Sequence, residues 1–329
     1  MKICSVTITP NEDAVREAEE TVRPFVDKCI RTIYYSPIID FSLARNLALQ
    51  NAADEGYDWA LMLDTDERIH KTRGSLHNAL VGESHDMLHV WADDHSYAKP
   101  RLFRLPARGH YTGPTHECWV SDPGSTTGTL DGITFSELPK TEAQYRAKAE
   151  RDREILEQYT QEHPGDPRWF YYLGDTYSGL GDDLRAVNAF WECWELNGWD
   201  EESAWAAYRI AEINCKIGNY DDALGWCTRG MSRHPGMAEL PWLAGYCCFK
   251  LGRFQHAIWW GEMAIALNKA KAADHRINFR HEPALWEGPY DVMSHASAAL
   301  GRDVKSSADR VLCEAYMAER LKSQKSRAT

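Results

Sequence analysis

Three carboxylates, Asp64, Asp66 and Glu67, close the apolar run in YDWALMLDTDERI. Side chains two apart on a strand point the same way, so Asp64 and Asp66 converge if the strand, or the turn after it, keeps them together. Two hard oxygen ligands suit Mg²⁺ or Mn²⁺, and an ion held there can take two further oxygens from a diphosphate. The plain alternative is an acidic turn after a buried strand, which binds nothing.

The surrounding elements decide where such a turn would lie. ICSVTI reads as a strand, NEDAVREAEETVRPFV as a helix from near Asn11, and IRTIYY as a second strand. FSLARNLALQNAADEG places Leu43 and Leu47 one helical turn apart, with Ala44 and Ala48 beside them and Gly56 as the stop. WALMLD is continuously apolar, as a strand covered on both faces must be. Strand, helix, strand, helix, strand implies a parallel α/β sheet, and ligands of open sheets lie beyond the strands' carboxyl ends, where Asp64 and Asp66 fall.

From about Ala143 the chain turns helical and repeats itself. WFYYLGDTYSGLGDDLRAVNAFWEC aligns with AAYRIAEINCKIGNYDDALGWCTRG and with PWLAGYCCFKLGRFQHAIWWGEMAIAL. Gly174, Ala211 and Gly245 anchor the first helix of each pair, and Ala186, Ala223 and Ala257 the second, with separations of 37 and then 34 residues. A period near 34 with small residues at fixed places resembles tetratricopeptide repeats. PYDVMSHASAALGRDVKSSADRVL, with Ala296 and Ala308, reads as the cap. Trp191, Trp194, Trp226 and Trp259 are expected between helices.

The 329 residues carry a formal charge of −12, with 43% apolar content. That composition fills real cores and argues against a dominant nucleic-acid or anionic-membrane surface. No window approaches an apolar span, the start does not read as a secretory signal, and the nine scattered cysteines form no CxxC pair. The expectation is a protein with reduced cysteines in a cytoplasm-like compartment.

Four motifs in order resemble family 2-type glycosyltransferases of the GT-A fold, in their small bacterial and phage branch. They are SVTITPNED with Thr9, Asn11 and Glu12; FSLARN with Arg45; DWALML followed by DTDE; and PRLFR with YTGPTHE, which bring Arg101, Arg104, His116 and Glu117. The resemblance implies a GT-A nucleotide-sugar-binding α/β domain over 1–140, followed by an all-α tetratricopeptide-like domain over 141–329. It implies inverting transfer of a sugar from a UDP-sugar to a hydroxyl acceptor: a glycan, a protein, or a modified DNA base. Mn²⁺ or Mg²⁺ would sit on Asp66 and Asp64, aided by His116, and neutralise the leaving diphosphate. Thr9, Asn11, Glu12, Arg45, Asp64, Arg101 and Arg104 would contact the donor. Glu117 is the candidate general base, its alternatives being a salt bridge to a neighbouring arginine or acceptor positioning, and Asp94 competes for the role. The Asp-x-Gly-Ser/Thr-x-Asp segment usual in relatives after the second strand is absent here. A nucleotidyltransferase on the same metal platform and a non-catalytic repeat scaffold are the competing readings, the repeat surface then binding acceptor or protein.

Overall fold

A computed structural model describes residues 1–9, 15–33, 40–71, 74–95, 97–272 and 279–327. The chain divides into two compact units, Met1–Ile155 and Leu156–Ser326.

The first unit is built on β1 (Ile3–Thr9), β2 (Lys28–Ile33), β3 (Trp59–Met62), β4 (Glu67–Lys71), β5 (Met87–Ala92), β6 (Ala98–Arg104) and, after a separate two-stranded sheet of β7 (Gly109–Thr112) and β8 (Cys118–Ser121), β9 (Thr127–Glu137). The seven-stranded sheet has the order β2-β1-β3-β6-β5-β9-β4. β1 pairs in parallel with β2 and β3, as the sequence implies. Beyond β3 the expectation of a parallel sheet fails: β6 is antiparallel to both β3 and β5, and β4 to β9. The cause is connection length. Only residues 93–97 separate β5 from β6, a hairpin link, whereas a parallel return needs a crossover of a dozen residues or more.

Both faces of the sheet are buried, which explains the unbroken apolar run of β3. Trp59, Leu61 and Leu63 pack on one side with Ala18 and Val22 of α1 (Arg16–Val22). Ala60 and Met62 pack on the other with Ala44, Ala48, Leu49 and Ala52 of α2 (Phe41–Asp54). The small face of α2 is therefore the buried one. Leu43 and Leu47, one turn apart as their spacing implies, are 66% and 50% exposed. Asp40 starts α2 by accepting the Leu43 amide at 2.9 Å, the N-cap bond that fixes where Arg45 falls. α3 (Leu76–Leu80) adds Leu76 and Leu80 to the first face. The first unit takes in α4 (Glu142–Glu162) as far as Ile155.

The second unit is helical: α5 (Pro167–Leu180), α6 (Asp183–Leu196), α7 (Asp200–Lys216), α8 (Tyr220–Arg233), α9 (Glu239–Lys250), α10 (Phe254–Lys269), α11 (Glu282–Leu285), α12 (Gly288–Ala299) and α13 (Asp303–Arg327). From α5 to α10 each helix packs on the next in sequence, the pattern of a repeat array. The alignment anchors fall where the repeat requires them, with Ala186, Ala211, Ala223 and Ala257 all fully buried. In the last pair Ala296 is buried but Ala308 is exposed, and α13 buries Ser306, Asp309 and Cys313 instead. Trp194 and Trp226 meet edge to face at 5.6 Å. Trp191 and Trp259 are 44% and 56% exposed, against expectation. Phe279, ahead of α11, packs on Tyr171, Trp199 and Trp205.

Gly174 shows why the repeat needs a small residue there. A Cβ on it would lie 2.7 Å from the fully buried Phe190 ring. Gly174→Ala gains about 1 kcal/mol of helix propensity but overpacks a filled site at about 1–3 kcal/mol. The expected net loss is about 1 kcal/mol, read as a lower urea midpoint at unchanged slope; a variant as stable as the parent would mean that Phe190 moves aside freely.

Candidate functional site

The turn from Asp64 to Glu67 carries the chain from the middle of the sheet to its β4 edge. It is closed by Glu67 N–H donating to the Asp64 carbonyl at 3.0 Å and Asp64 N–H donating to Glu67 Oε2 at 3.1 Å. Glu67 is fully buried, so this carboxylate ties the turn together rather than facing a ligand. Asp64 and Asp66 line a cavity of about 1010 Å³ that also receives Ile8, Phe41, Arg45, His116 and Glu117. Lys140, with Lys148 and Arg151 of α4, also lines it.

Arg45 is the hub. Its Nη2 donates to Asp64 Oδ1 at 2.7 Å and its Nε to Glu117 Oε1 at 2.5 Å. The neighbouring Asn46 pins β7 to α2 through a reciprocal pair of bonds with the Tyr111 backbone, at 2.9 and 2.7 Å, and Phe41 N–H donates to the Pro114 carbonyl at 2.9 Å. The chain leading into His116 and Glu117 is thus tied, at Tyr111 and Pro114, to the same helix as Arg45. Arg101, nearly buried in β6, joins Asp64 at 2.9 Å and also bonds Glu67. Lys99 reaches Glu67 at 3.1 Å and Glu137, while Lys140 holds Asp66 at 2.5 Å.

Three cations (Arg45, Arg101, Lys99) therefore alternate with four carboxylates (Glu117, Asp64, Glu67, Glu137), with the Lys140–Asp66 pair beside them. Burial alone would raise the Asp64 carboxyl, but Arg45 and Arg101 outweigh it and hold the group well below the usual range. Burial works against the Arg45 charge too, and Asp64 and Glu117 overcome it, so that guanidinium is raised. Burial lifts the neighbouring Tyr111 hydroxyl to about 12. Arg45 Nη1 and Arg101 Nε are buried donors without a hydrogen-bond partner among the described residues.

Several expected residues lie elsewhere. Arg104 pairs with Trp59 at the start of β3, stacks on that ring at 4.6 Å and donates to the Glu83 and His85 carbonyls. It braces the end of the sheet away from Asp64. Asp94 is exposed in the β5–β6 turn and does not line the cavity. Thr9 is fully buried at the end of β1. Asn11 and Glu12 lie outside the described residues. The metal expectation meets a donor set that does not fit it: among the described residues no group of three His, Cys, Asp or Glu side chains is placed to hold a metal ion. Asp64 gives both oxygens to arginines, Asp66 is taken by Lys140, and His116 faces Asp152 at 3.8 Å.

Lys140, Lys148 and Arg151 are the site residues that sequence reading missed. Lys148 and Arg151 stand three apart on a charge-rich helix and read as a solvated face; both pair with the buried Asp152. No signal in the sequence marks them, because the burial of Asp152 that requires such partners is visible only in the structure. Burial raises its carboxyl and the two cations more than reverse that.

No family model matches the chain, and no curated protein matches it. Among solved structures, "Crystal structure of MamA protein" covers 55% of this chain and 89% of its own, at 15% identity and a TM-score of 0.44. "MamA 41-end from Desulfovibrio magneticus RS-1" covers 53% and 89%, at 17% identity and a TM-score of 0.42. The membership in family 2 glycosyltransferases that the motifs imply is therefore corrected: no family model and no curated protein of that kind matches the chain. What stands is an α/β unit followed by a tetratricopeptide-like helical repeat unit.

Proposed function

We propose that the cavity of the N-terminal unit binds a nucleoside diphosphate sugar and transfers the sugar, with inversion, to a hydroxyl acceptor. The observation that carries this reading is the Asp64–Arg45–Glu117 chain of ion pairs beside the carboxyl ends of β1 and β3. Inverting transfer needs a carboxylate to take the acceptor's proton, countercharge for the leaving diphosphate, and alignment of the two. Glu117 takes the proton through Oε2 while Arg45 orients it from Oε1. Lys140, Lys148 and Arg151 stand on the wall where a diphosphate could be met by side-chain cations. The acceptor is a glycan, a protein side chain or a modified base.

A second reading, a non-catalytic scaffold whose repeat unit binds protein, has its own support. The four carboxylates of the network, and Asp66 beside it, are already paired, which a purely structural domain would also show. Large apolar side chains such as Trp191, Trp259 and Met263 stand exposed on the repeats.

Calorimetric titration with UDP, GDP and UDP-sugars, each with Mn²⁺ and with EDTA, separates the two. The transferase reading expects one nucleotide to bind with Kd below about 1 mM, the upper end of ordinary enzyme affinities. Binding that needs Mn²⁺ would restore the metal expectation. Silence with every nucleotide under both conditions would leave the scaffold.

A further inference from the structure

Three cysteine thiols meet inside the repeat unit, one from each of three successive helices. Cys215, at the penultimate position of α7, has its Sγ 3.3 Å from Cys247 Sγ of α9. Cys247 also shares a side-chain hydrogen bond with Cys227 of α8. Cys227 and Cys247 are fully buried, while Cys215 is only partly so. Isolated buried cysteines are inert space-fillers. A partly exposed thiol touching a second thiol on another helix has a different option, because the two sulfurs need close only from contact distance to the ~2.05 Å of a disulfide.

We propose that Cys215 and Cys247 form a redox-responsive inter-repeat disulfide, with a hydroperoxide as the oxidant. Cys215 meets the peroxide first, because it is the residue of the three that is only partly buried. Its sulfur takes one oxygen, giving a sulfenic acid and releasing water or the corresponding alcohol. The Cys247 sulfur then attacks the Cys215 sulfur, the S–O bond breaks, and the oxygen leaves as water with the Cys247 proton. Two electrons pass from the thiols to one peroxide, and no metal or further carrier is needed. The hydrogen bond to Cys247 and burial both raise the Cys215 thiol, so the reduced pair is protonated at rest and reacts slowly. That suits a response to sustained oxidation rather than a catalytic cycle. The bond would fasten α7 to α9 across α8, fixing one repeat against the next. Cys227 remains a thiol within reach of Cys247 for exchange.

The test uses the full folded chain, treated with hydrogen peroxide, unfolded in alkylating reagent and digested without reductant. The expected result is a single linked peptide pair joining Cys215 to Cys247, about 2 Da lighter than the sum of the two reduced peptides. The linked, still folded protein should melt at a higher temperature, a gain that reductant removes. Cys227→Ser should keep the link. Cys215→Ser and Cys215→Ala should each lose it while melting close to the parent, and either one alone decides if the other misfolds. Recovery of Cys215 and Cys247 as separate alkylated peptides, or as sulfinic or sulfonic acids, from oxidised and still folded protein would overturn the proposal. So would a link formed only in urea.

Discussion

Replacing Arg45 with alanine is expected to destabilise the N-terminal unit by about 3–5 kcal/mol, the range for removing one partner of a buried ion pair. The side chain is only 9% exposed and holds Asp64 and Glu117 at once, whose side chains are 24% and 13% exposed. Without it Glu117 loses this partner and Asp64 keeps Arg101, so Glu117 should carry most of the loss. Lysine at the same position offers one ammonium in place of a planar fork, and Arg45→Lys should recover less than half. The sign with pH follows from Asp64, whose folded-state carboxyl is depressed. Its contribution is fully present above the unfolded value of about 4 and fades as pH falls toward the lower folded one. The gap between parent and variant should therefore narrow below about pH 4. Hydrogen exchange of the α2 and β3 amides at pH 7, with urea unfolding at pH 7 and pH 3, reads both effects. A loss under about 1 kcal/mol at pH 7 would mean that water screens the cluster as it does surface pairs, and the transferase reading would lose its preorganised base.

The residues that dominate this site were half visible in the sequence. Asp64 and Asp66 were found because an apolar strand must end somewhere, and acids at that end are conspicuous. Arg45 and Glu117 were found only through motif order, since 72 residues separate them in the chain. Their ion pair was one of the alternatives open to Glu117, and it is the contact the structure contains. Lys140 was invisible for a physical reason. Whether a lysine beside a proline meets a carboxylate 74 residues away depends on how β9 and β4 register, and Leu138 N–H donating to the Asp66 carbonyl at 2.8 Å is what brings it there. The mixed sheet was missed because strand periodicity carries no direction; only the short β5–β6 link bore on it. The repeats were the easier half. Their contacts are local, and a Gly174 that must admit Phe190 leaves a mark at each period. Leu43 and Leu47 show the opposite limit. Their spacing identifies a face of α2, but the sheet accepts the smaller alanine face, which lets helix and sheet approach closely.

Glu202→Gln is expected to stabilise the repeat unit at alkaline pH by about 2–3 kcal/mol and to change little at pH 4. Glu202 lies in the first turn of α7, 2% exposed, with Oε1 lacking a hydrogen-bond partner among the described residues. Burial pushes its carboxyl up to about 7; Arg168, 3.8 Å away, pulls the other way without winning. Between about pH 4.5 and 7 the folded chain keeps a proton that the unfolded chain has released. Folding stability therefore falls as pH rises through that window and is level above it. One pKa unit corresponds to about 1.4 kcal/mol, so the raised value costs about 3 kcal/mol at pH 8, reduced by up to about 1 kcal/mol because the helix N-terminus favours the anion that glutamine lacks. Glutamine keeps the shape and removes the charge. Urea midpoints of parent and variant at pH 4 and pH 8 give the answer. If Glu202→Gln were equally stabilising at both, the gain would come from packing. If it were destabilising at pH 8, the Arg168 pair would be worth more than the burial it has to overcome, and the ionised carboxylate would be a strut of the repeat.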